Sequence, residues 1–277
     1  MSRYSLEGKV PHLKNRFQFR LGTTSYIVPA DIAPNVSTLA PCVDDIEIVL
    51  FESETHSNLP DVDTMEVMRH HRYESKVSYT IHLPLDIQLG SMDRNERASS
   101  VEQCRRIIQL MEPLNPFAYV LHLPIGDMSA RSVSDPERWQ RHVADGVTQI
   151  LEMGVAPHRI CVETLAYPFE LAAPVVEKLD LSVCIDVGHI LMNDYSLPSY
   201  MHQWFNRTRI VHLHGIADGK DHQSIAHLPD DVLNAVVQSM NEYDAKERVL
   251  TLEIFGESDF ISSMNRMKGF VPCVELF

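Results

Sequence analysis

Short runs of apolar and β-branched residues recur along the chain, and longer segments with helical periodicity separate them. Eight runs predict strands, over residues 19–24, 46–52, 79–84, 119–124, 160–165, 183–187, 209–213 and 249–255. Apolar residues spaced three or four positions apart predict helices over residues 61–75, 93–112, 134–153 and 230–245. The connections at 29–41, 167–180, 197–207 and 257–270 give weaker signals.

The alternation of strand and helix predicts an α/β fold. Eight strands in one domain-sized chain of 277 residues favour a closed parallel (β/α)8 barrel over an open doubly wound sheet. The sequence contains no glycine-rich phosphate-binding motif, which agrees with this choice. Residues 1–17 are polar and are predicted to form an N-terminal extension, and residues 18–277 are predicted to form the barrel as a single domain.

Most of the predicted strands end in a residue type that binds metal ions. The run before Asp186 is apolar, and it ends in Asp186-Val-Gly-His189. Other strands end in an imidazole or a carboxylate, at Glu52, His82, His122, Glu163, His212 and Glu253. Because the carboxyl ends of parallel barrel strands form one face, we expect these side chains to converge there. Imidazoles and carboxylates without a thiolate suit Zn, Mn, Fe or Co, so the pattern predicts a divalent metal site.

Strand alternation extends this prediction. Two positions before each strand-end residue lies a small or aliphatic residue that can fill the barrel interior, namely Leu50, Thr80, Val120, Cys161, Cys184, Ile210 and Thr251. The same parity predicts that Glu52 points inward, where it is a candidate for proton transfer or substrate binding. It also predicts that His214 points inward, where it is a metal ligand or a substrate contact. His222 follows in a predicted loop, where it is either a ligand or a solvated side chain.

The composition of the chain indicates which classes of binding partner are expected. The formal net charge is −14 and the isoelectric point is near 5.4, so the chain is expected to repel nucleic acid and acidic membrane surfaces, and a small-molecule substrate is favoured. No apolar stretch approaches the roughly 18 residues of a membrane span, and the N-terminus lacks an apolar signal region. The five cysteines show no CxxC spacing. We therefore expect a cytoplasmic protein.

The strand-end residues carry a resemblance to the xylose isomerase-like barrel superfamily and, within it, to the endonuclease IV type (AP endonuclease family 2). The matching motifs are His82 in Ile-His-Leu-Pro, His122 in Leu-His-Leu-Pro, Glu163 in Val-Glu-Thr, Asp186-Val-Gly-His189, His212 in Val-His-Leu-His, and Glu253 in Leu-Glu-Ile. The resemblance covers residues 19–256 and implies a metal-dependent enzyme.

The resemblance also implies how these ligands are shared. His82, His122 and Glu163 would hold one ion. A second ion would be held by the four carboxylate and imidazole residues Glu163, Asp186, His212 and Glu253, with Glu163 bridging the two ions. A third ion in that family uses the strand-six histidine, here His189, and an Asp-x-His motif. Here His222 fits this motif, but Asp221 is one residue away from the expected position.

Other stretches resemble the cobamide-remodelling phosphodiesterases more closely. They are residues 20–31, 34–36, 43–53 and 79–86, and they include Val43-Asp-Asp-Ile-Glu-Ile-Val-Leu-Phe-Glu52. That family cleaves the phosphodiester of the cobamide nucleotide loop, which releases an α-ribazole-type nucleoside and leaves cobinamide phosphate. The resemblance implies a cobamide substrate and two divalent ions, with Zn or Mn favoured over Fe or Co, and a catalytic role for Glu163.

Two other functions remain open. A sugar isomerase or epimerase of the same superfamily needs one metal, held by the second ligand set. In that case His82, His122 and His189 exceed the need and favour a hydrolase with several metal ions. A binding module that uses the barrel without chemistry is the third class, and a complete ligand set disfavours it. The number of bound ions separates the isomerase from the hydrolase.

Overall fold

The computed structural model describes residues 4–52, 57–126, 132–242 and 247–271, and its main sheet is a closed barrel. The barrel strands are β1 (Arg20–Thr24), β2 (Asp45–Val49), β3 (Ser78–His82), β4 (Ala118–Leu121), β5 (Ile160–Glu163), β6 (Ser182–Asp186), β7 (Thr208–Leu213) and β10 (Val249–Leu252). Their order around the barrel is β1-β10-β7-β6-β5-β4-β3-β2. Two further strands, β8 (Gly215–Ala217) and β9 (Lys220–Gln223), form a separate antiparallel pair. The predicted (β/α)8 barrel is confirmed.

Helices occupy the connections between the strands. They are α1 (Ile32–Leu39), α2 (Val62–Glu74), α3 (Arg94–Met111), α4 (Pro136–Leu151), α5 (Ala173–Lys178), α6 (Val187–Met192), α7 (Leu197–Trp204), α8 (Asp230–Glu242) and α9 (Glu257–Lys268). The four segments with clear helical patterns form α2, α3, α4 and α8, and the four weaker ones form α1, α5, α7 and α9. Among the described residues, no helix is both long enough and apolar enough to cross a membrane.

The described residues form two compact halves, and the first comprises residues 4–48, 60–79, 211–242 and 247–271. In this half β1 pairs in parallel with β10 and with β2. The N-terminal segment forms no helix or strand over residues 4–17, but Leu6, Leu13 and Phe17 are buried. The buried Asp44 carboxylate accepts hydrogen bonds from the backbone N–H groups of Asn15 and Leu21. The segment is therefore packed and anchored, which a polar extension outside the barrel does not predict.

The second half comprises residues 49–52, 57–59, 80–126 and 132–210. Within it β3 pairs with β4, β4 with β5 and β5 with β6, all in parallel. Helix α4 begins at Pro136 because the Asp135 side chain accepts a hydrogen bond from the Arg138 N–H, which satisfies a free amide of the first turn. The apolar face of α4 is buried. Candidate metal-ligand residues lie at or directly after the carboxyl ends of these strands.

The strands end within a few residues of the predicted limits, with one consequential difference. Strand β2 ends at Val49 and not at Glu52. The Asn58 side chain donates a hydrogen bond to the Val49 carbonyl and accepts one from the Phe51 N–H, so a side chain takes up backbone groups that a longer strand would use. The predicted inward orientation of Glu52 depended on a strand that does not extend that far.

Candidate metal centre

Candidate ligands in the second half of the structure surround Glu163, and we call them the Glu163 cluster. Glu163 ends β5, its carboxylate is fully buried, and His82 ends β3 while His122 directly follows β4. The Glu163 Oε2 atom lies 3.4 Å from His82 Nε2 and 3.0 Å from His122 Nε2. Three ligand atoms of these residues lie within 4.8 Å of one another. The predicted first ligand set is therefore assembled in the structure.

Asp186 and His189 approach the other side of the same carboxylate. Asp186 ends β6 and caps α6, since its Oδ1 atom accepts a hydrogen bond from the His189 N–H over 2.7 Å. This cap positions the imidazole of His189. Its Nδ1 atom lies 3.4 Å from Glu163 Oε1 and 3.4 Å from Asp186 Oδ2. The two oxygens of Glu163 thus face different imidazoles, with His82 and His122 on Oε2 and His189 on Oε1.

A buried phenol supports this cluster from the loop after β5. Tyr167 donates a hydrogen bond to the Leu123 carbonyl, and its ring makes an edge contact with Trp139. Burial raises the pKa of Tyr167, and the charges of Tyr200 and Glu163 raise it further. The phenol therefore stays neutral and remains a hydrogen-bond donor, which fixes the loop next to His122.

A second cluster, in the first half, surrounds His212. His212 lies in β7 and Glu253 follows β10, and both are buried. The Nδ1 atom of His212 lies 3.2 Å from Glu253 Oε2, and its Nε2 atom lies 2.9 Å from Glu47 Oε2. His222 also approaches Glu253, with 3.6 Å between its Nδ1 atom and Glu253 Oε2. We call His212, Glu253 and Glu47 the His212 cluster.

The hairpin β8–β9 places His222 against His214. The backbone N–H of His222 donates to Nδ1 of His214 over 3.0 Å, and the two rings lie 4.4 Å apart. His222 itself has a positive φ of 52°. It was predicted to lie in a loop but lies in β9, and its Nε2 atom is 3.7 Å from Asp221 Oδ2. His214 is fully buried.

Glu52 has a different environment from the one that strand parity predicted. Its carboxylate forms an ion pair with Arg106 of α3, whose side chain is largely exposed. The acidic side chain of β2 that contacts His212, a candidate ligand, is Glu47, which the strand-end pattern missed because it lies in mid-strand. A carboxylate between Ile46 and Ile48 in a buried strand was the available signal. The catalytic role of Glu52 stays a prediction.

A cavity of about 450 Å³ opens in the loops that follow β3 and β4. Its lining includes Gln88, Ser91, Met92, Pro124 and Trp139. Pro124 is two residues beyond His122 in the sequence, but none of the residues that line the cavity belongs to the Glu163 cluster. Gln88, Ser91 and Met92 come from the loop after β3, and Pro124 comes from the loop after β4.

The donor set of the Glu163 cluster suits a divalent metal ion. Two imidazoles and one carboxylate are ligands that Zn and Mn accept. His122 is buried, and neither of its ring nitrogens makes a hydrogen bond. Buried polar nitrogens without such partners are costly in a protein interior, and a metal ion would satisfy them. The residues of this cluster therefore fit the divalent metal ion that the sequence predicts.

A closed (β/α)8 barrel with imidazoles and carboxylates at the carboxyl ends of its strands has the architecture of metal-dependent barrel enzymes. The chain belongs to the xylose isomerase-like TIM barrel family, whose model matches residues 43–270.

Solved structures with the same fold come from different enzyme classes. A D-tagatose 3-epimerase-like protein has 18% identity and a TM-score of 0.74, with 91% of this chain and 97% of that chain covered. Endonuclease IV from Thermus thermophilus has 16% identity and a TM-score of 0.67, with coverage of 91% and 98%. The IolI protein, solved with a zinc atom, has 12% identity and a TM-score of 0.68, with coverage of 91% and 98%. No curated protein matches the sequence. At these identities the similarity establishes the fold alone.

Proposed function

We propose that this protein is a metal-dependent phosphodiesterase that hydrolyses the nucleotide-loop phosphodiester of cobamides. The observation that carries the proposal is the environment of Glu163, whose two carboxylate oxygens face different imidazoles at 3.0–3.4 Å. A carboxylate that bridges two metal ions binds one ion through each of its oxygens, so other ligand residues are needed near both oxygens. Two-metal sites are common in phosphatases and nucleases, where they stabilise both the attacking and the leaving oxygen.

The substrate class comes from the sequence. The stretches 20–31, 34–36, 43–53 and 79–86 resemble the cobamide-remodelling phosphodiesterases and lie outside the strand-end metal motifs, except at His82. The net charge of −14 favours a small molecule over a nucleic acid. The cavity of about 450 Å³ in the loops after β3 and β4 offers room for part of a bulky substrate.

The assignment of ligands follows the two clusters. His82, His122 and Glu163 would hold one ion. Asp186, His212 and Glu253 would hold the other together with Glu163, and His189 and His222 are the additional ligands proposed for a third. When bound, divalent ions would neutralise charge on the phosphodiester and lower the pKa of water to about 7. Zn and Mn are the proposed metals.

His214 is proposed to supply a proton. Its Nδ1 atom lies 3.0 Å from the backbone nitrogen of His222 and 3.3 Å from the carbonyl oxygen of Gly215, and these two contacts hold the ring in place. Water adds to phosphorus while the bond from phosphorus to the ribose oxygen breaks. His214 can take one proton from this water and give it to the departing ribose oxygen, so that its own charge is unchanged at the end of the step. Glu163 contacts His82, His122 and His189 and holds these imidazoles in place.

We expect two tightly bound transition-metal ions per chain, because the candidate ligands form two sets that share Glu163. Elemental analysis of protein purified under metal-replete conditions measures this number. A result of one ion or fewer would support the sugar isomerase or epimerase, which needs only the set with Asp186, His212 and Glu253.

The activity is tested with metal-loaded protein and adenosylcobalamin under reducing, anaerobic conditions. We expect the nucleoside and a phosphate-bearing cobinamide in equal amounts, and Asp186→Ala should abolish both products. Parallel reactions contain duplex DNA with an abasic site or a ketohexose. Intact cobamide together with rapid cleavage of the DNA would identify a repair endonuclease, and epimerisation of the sugar would identify the rival reaction.

A further inference from the structure

Glu47 has no part in the proposed ligand sets, yet its position is specific. It lies in the middle of β2 and its side chain is fully buried. One carboxylate oxygen, Oε2, lies 2.9 Å from His212 Nε2, and the other, Oε1, makes no hydrogen bond. Burial of a carboxylate is costly unless a donor or a cation compensates it. The imidazole of His212 is the partner that the structure provides.

Both nitrogens of His212 face carboxylates. The Nδ1 atom lies 3.2 Å from Glu253 Oε2, and the Nε2 atom faces Glu47. A neutral imidazole has one N–H donor and one lone pair, so only one of its nitrogens can bind a metal ion. Glu253 directly follows the end of β10, at the end of the strand where metal ligands are expected, whereas Glu47 lies in mid-strand. An ion that shares Glu253 and His212 therefore requires the lone pair on Nδ1.

We propose that Glu47 is a positioning residue that accepts the Nε2–H of His212 and so holds the Nδ1 lone pair toward the metal ion. The inference rests on the proposed function in one respect, the assignment of His212 and Glu253 as ligands of one ion. Metal-ligating histidines usually donate their second N–H to a carboxylate or a carbonyl, which fixes the tautomer and the ring orientation. Loss of such a partner typically lowers metal affinity about 10–100-fold.

The tautomer is measured directly. Protein labelled with ¹⁵N-histidine and loaded with Zn gives long-range ¹H–¹⁵N spectra, in which the His212 signals are assigned by their absence in His212→Asn. We expect a proton on Nε2 and the shift of a metal-bound nitrogen on Nδ1. A proton on Nδ1 with Zn on Nε2 would overturn the proposal, because Glu47 would then face the metal.

Variants of Glu47 test its contribution to affinity. Competition with a chelator should show that Glu47→Leu binds one Zn ion about 10–100-fold more weakly. The amide oxygen of Glu47→Gln can still accept a hydrogen bond, so this variant should lose less affinity. The ion at His82, His122 and Glu163 is the internal control and should keep its affinity. Glu47→Gln also keeps the test decisive if Glu47→Leu fails to fold.

Wild-type affinity for both ions in both variants, together with native thermal unfolding, would contradict the role of Glu47. A wild-type protein that binds a single ion would instead count against the proposed two-metal function. The tautomer of His212 in that one-ion protein would still decide the role of Glu47, so the two failures are distinguishable.

Discussion

Glu163→Gln is expected to lower the turnover of cobamide about a thousandfold while the fold is retained. The amide has the volume of the carboxylate, so the strand core beneath it is unchanged. It lacks the negative charge that faces His82 and His122 on one oxygen and His189 on the other. A loss of about 4 kcal/mol in transition-state stabilisation corresponds to about this factor. Steady-state kinetics and elemental analysis should show the loss of turnover together with weaker metal binding.

The matched control is Glu137→Gln, which makes the same chemical change on the exposed surface of α4. Its turnover and metal content should equal those of the wild type. Near-normal turnover of Glu163→Gln with both ions bound would show that Glu163 does not bridge two ions.

Gly215→Ala is expected to destabilise the protein by about 1–3 kcal/mol, a decrease in Tm of roughly 5 °C. A Cβ atom at this position would lie 2.0 Å from the backbone carbonyl oxygen of Ser224, so the backbone itself must shift. Gly215 opens β8 and pairs with Gln223 in β9, next to His222. The shift should therefore also separate His222 from His214 and lower turnover. Calorimetry and kinetics measure the two effects.

Gly256→Ala is the control, because a Cβ atom there has open space and the backbone is extended, with φ of −169°. Its free energy of unfolding is expected to change by less than about 1 kcal/mol. If Gly215→Ala unfolds at the wild-type temperature and retains full turnover, the close packing of β8 against Ser224 does not determine the position of His222.

The strand-end pattern was sufficient to predict the barrel and most of the candidate site. His82, Glu163 and Asp186 end β3, β5 and β6, as the alternation of apolar runs and ligand residues indicated. These signals are local, because a strand needs only its own β-branched residues and the polar residue that follows. Parallel pairing then brings the strand ends to one face without further information.

The difference between the predicted and the observed end of β2 has a non-local cause. The apolar run continues through Leu50 and Phe51, so nothing in it marks the end of β2 at Val49. The group that ends the strand is the side chain of Asn58, nine residues later in the sequence than Val49. Sequence periodicity cannot identify such a partner, so it predicts a strand that is three residues too long.

The hairpin β8–β9 was missed although a local signal existed. Asp218 and Gly219 connect its strands and both have positive φ, of 52° and 72°, as expected for the Asp-Gly turn of a tight hairpin. The strands have only three and four residues, and β9 is polar throughout, so they lack the alternation of apolar residues that marks a strand. Because this alternation is missing, the sequence pattern predicted a loop at His222.

Asp44 anchors the N-terminal segment to the barrel. Its carboxylate holds the amides of Asn15 and Leu21 at 2.8 and 3.0 Å, and so joins the N-terminal segment to the first barrel strand. A chain shortened to begin at residue 18 would leave this carboxylate half satisfied and uncover Phe19, which stacks on Phe17. A chain shortened from this end therefore keeps its packing only if the buried Leu6 is retained.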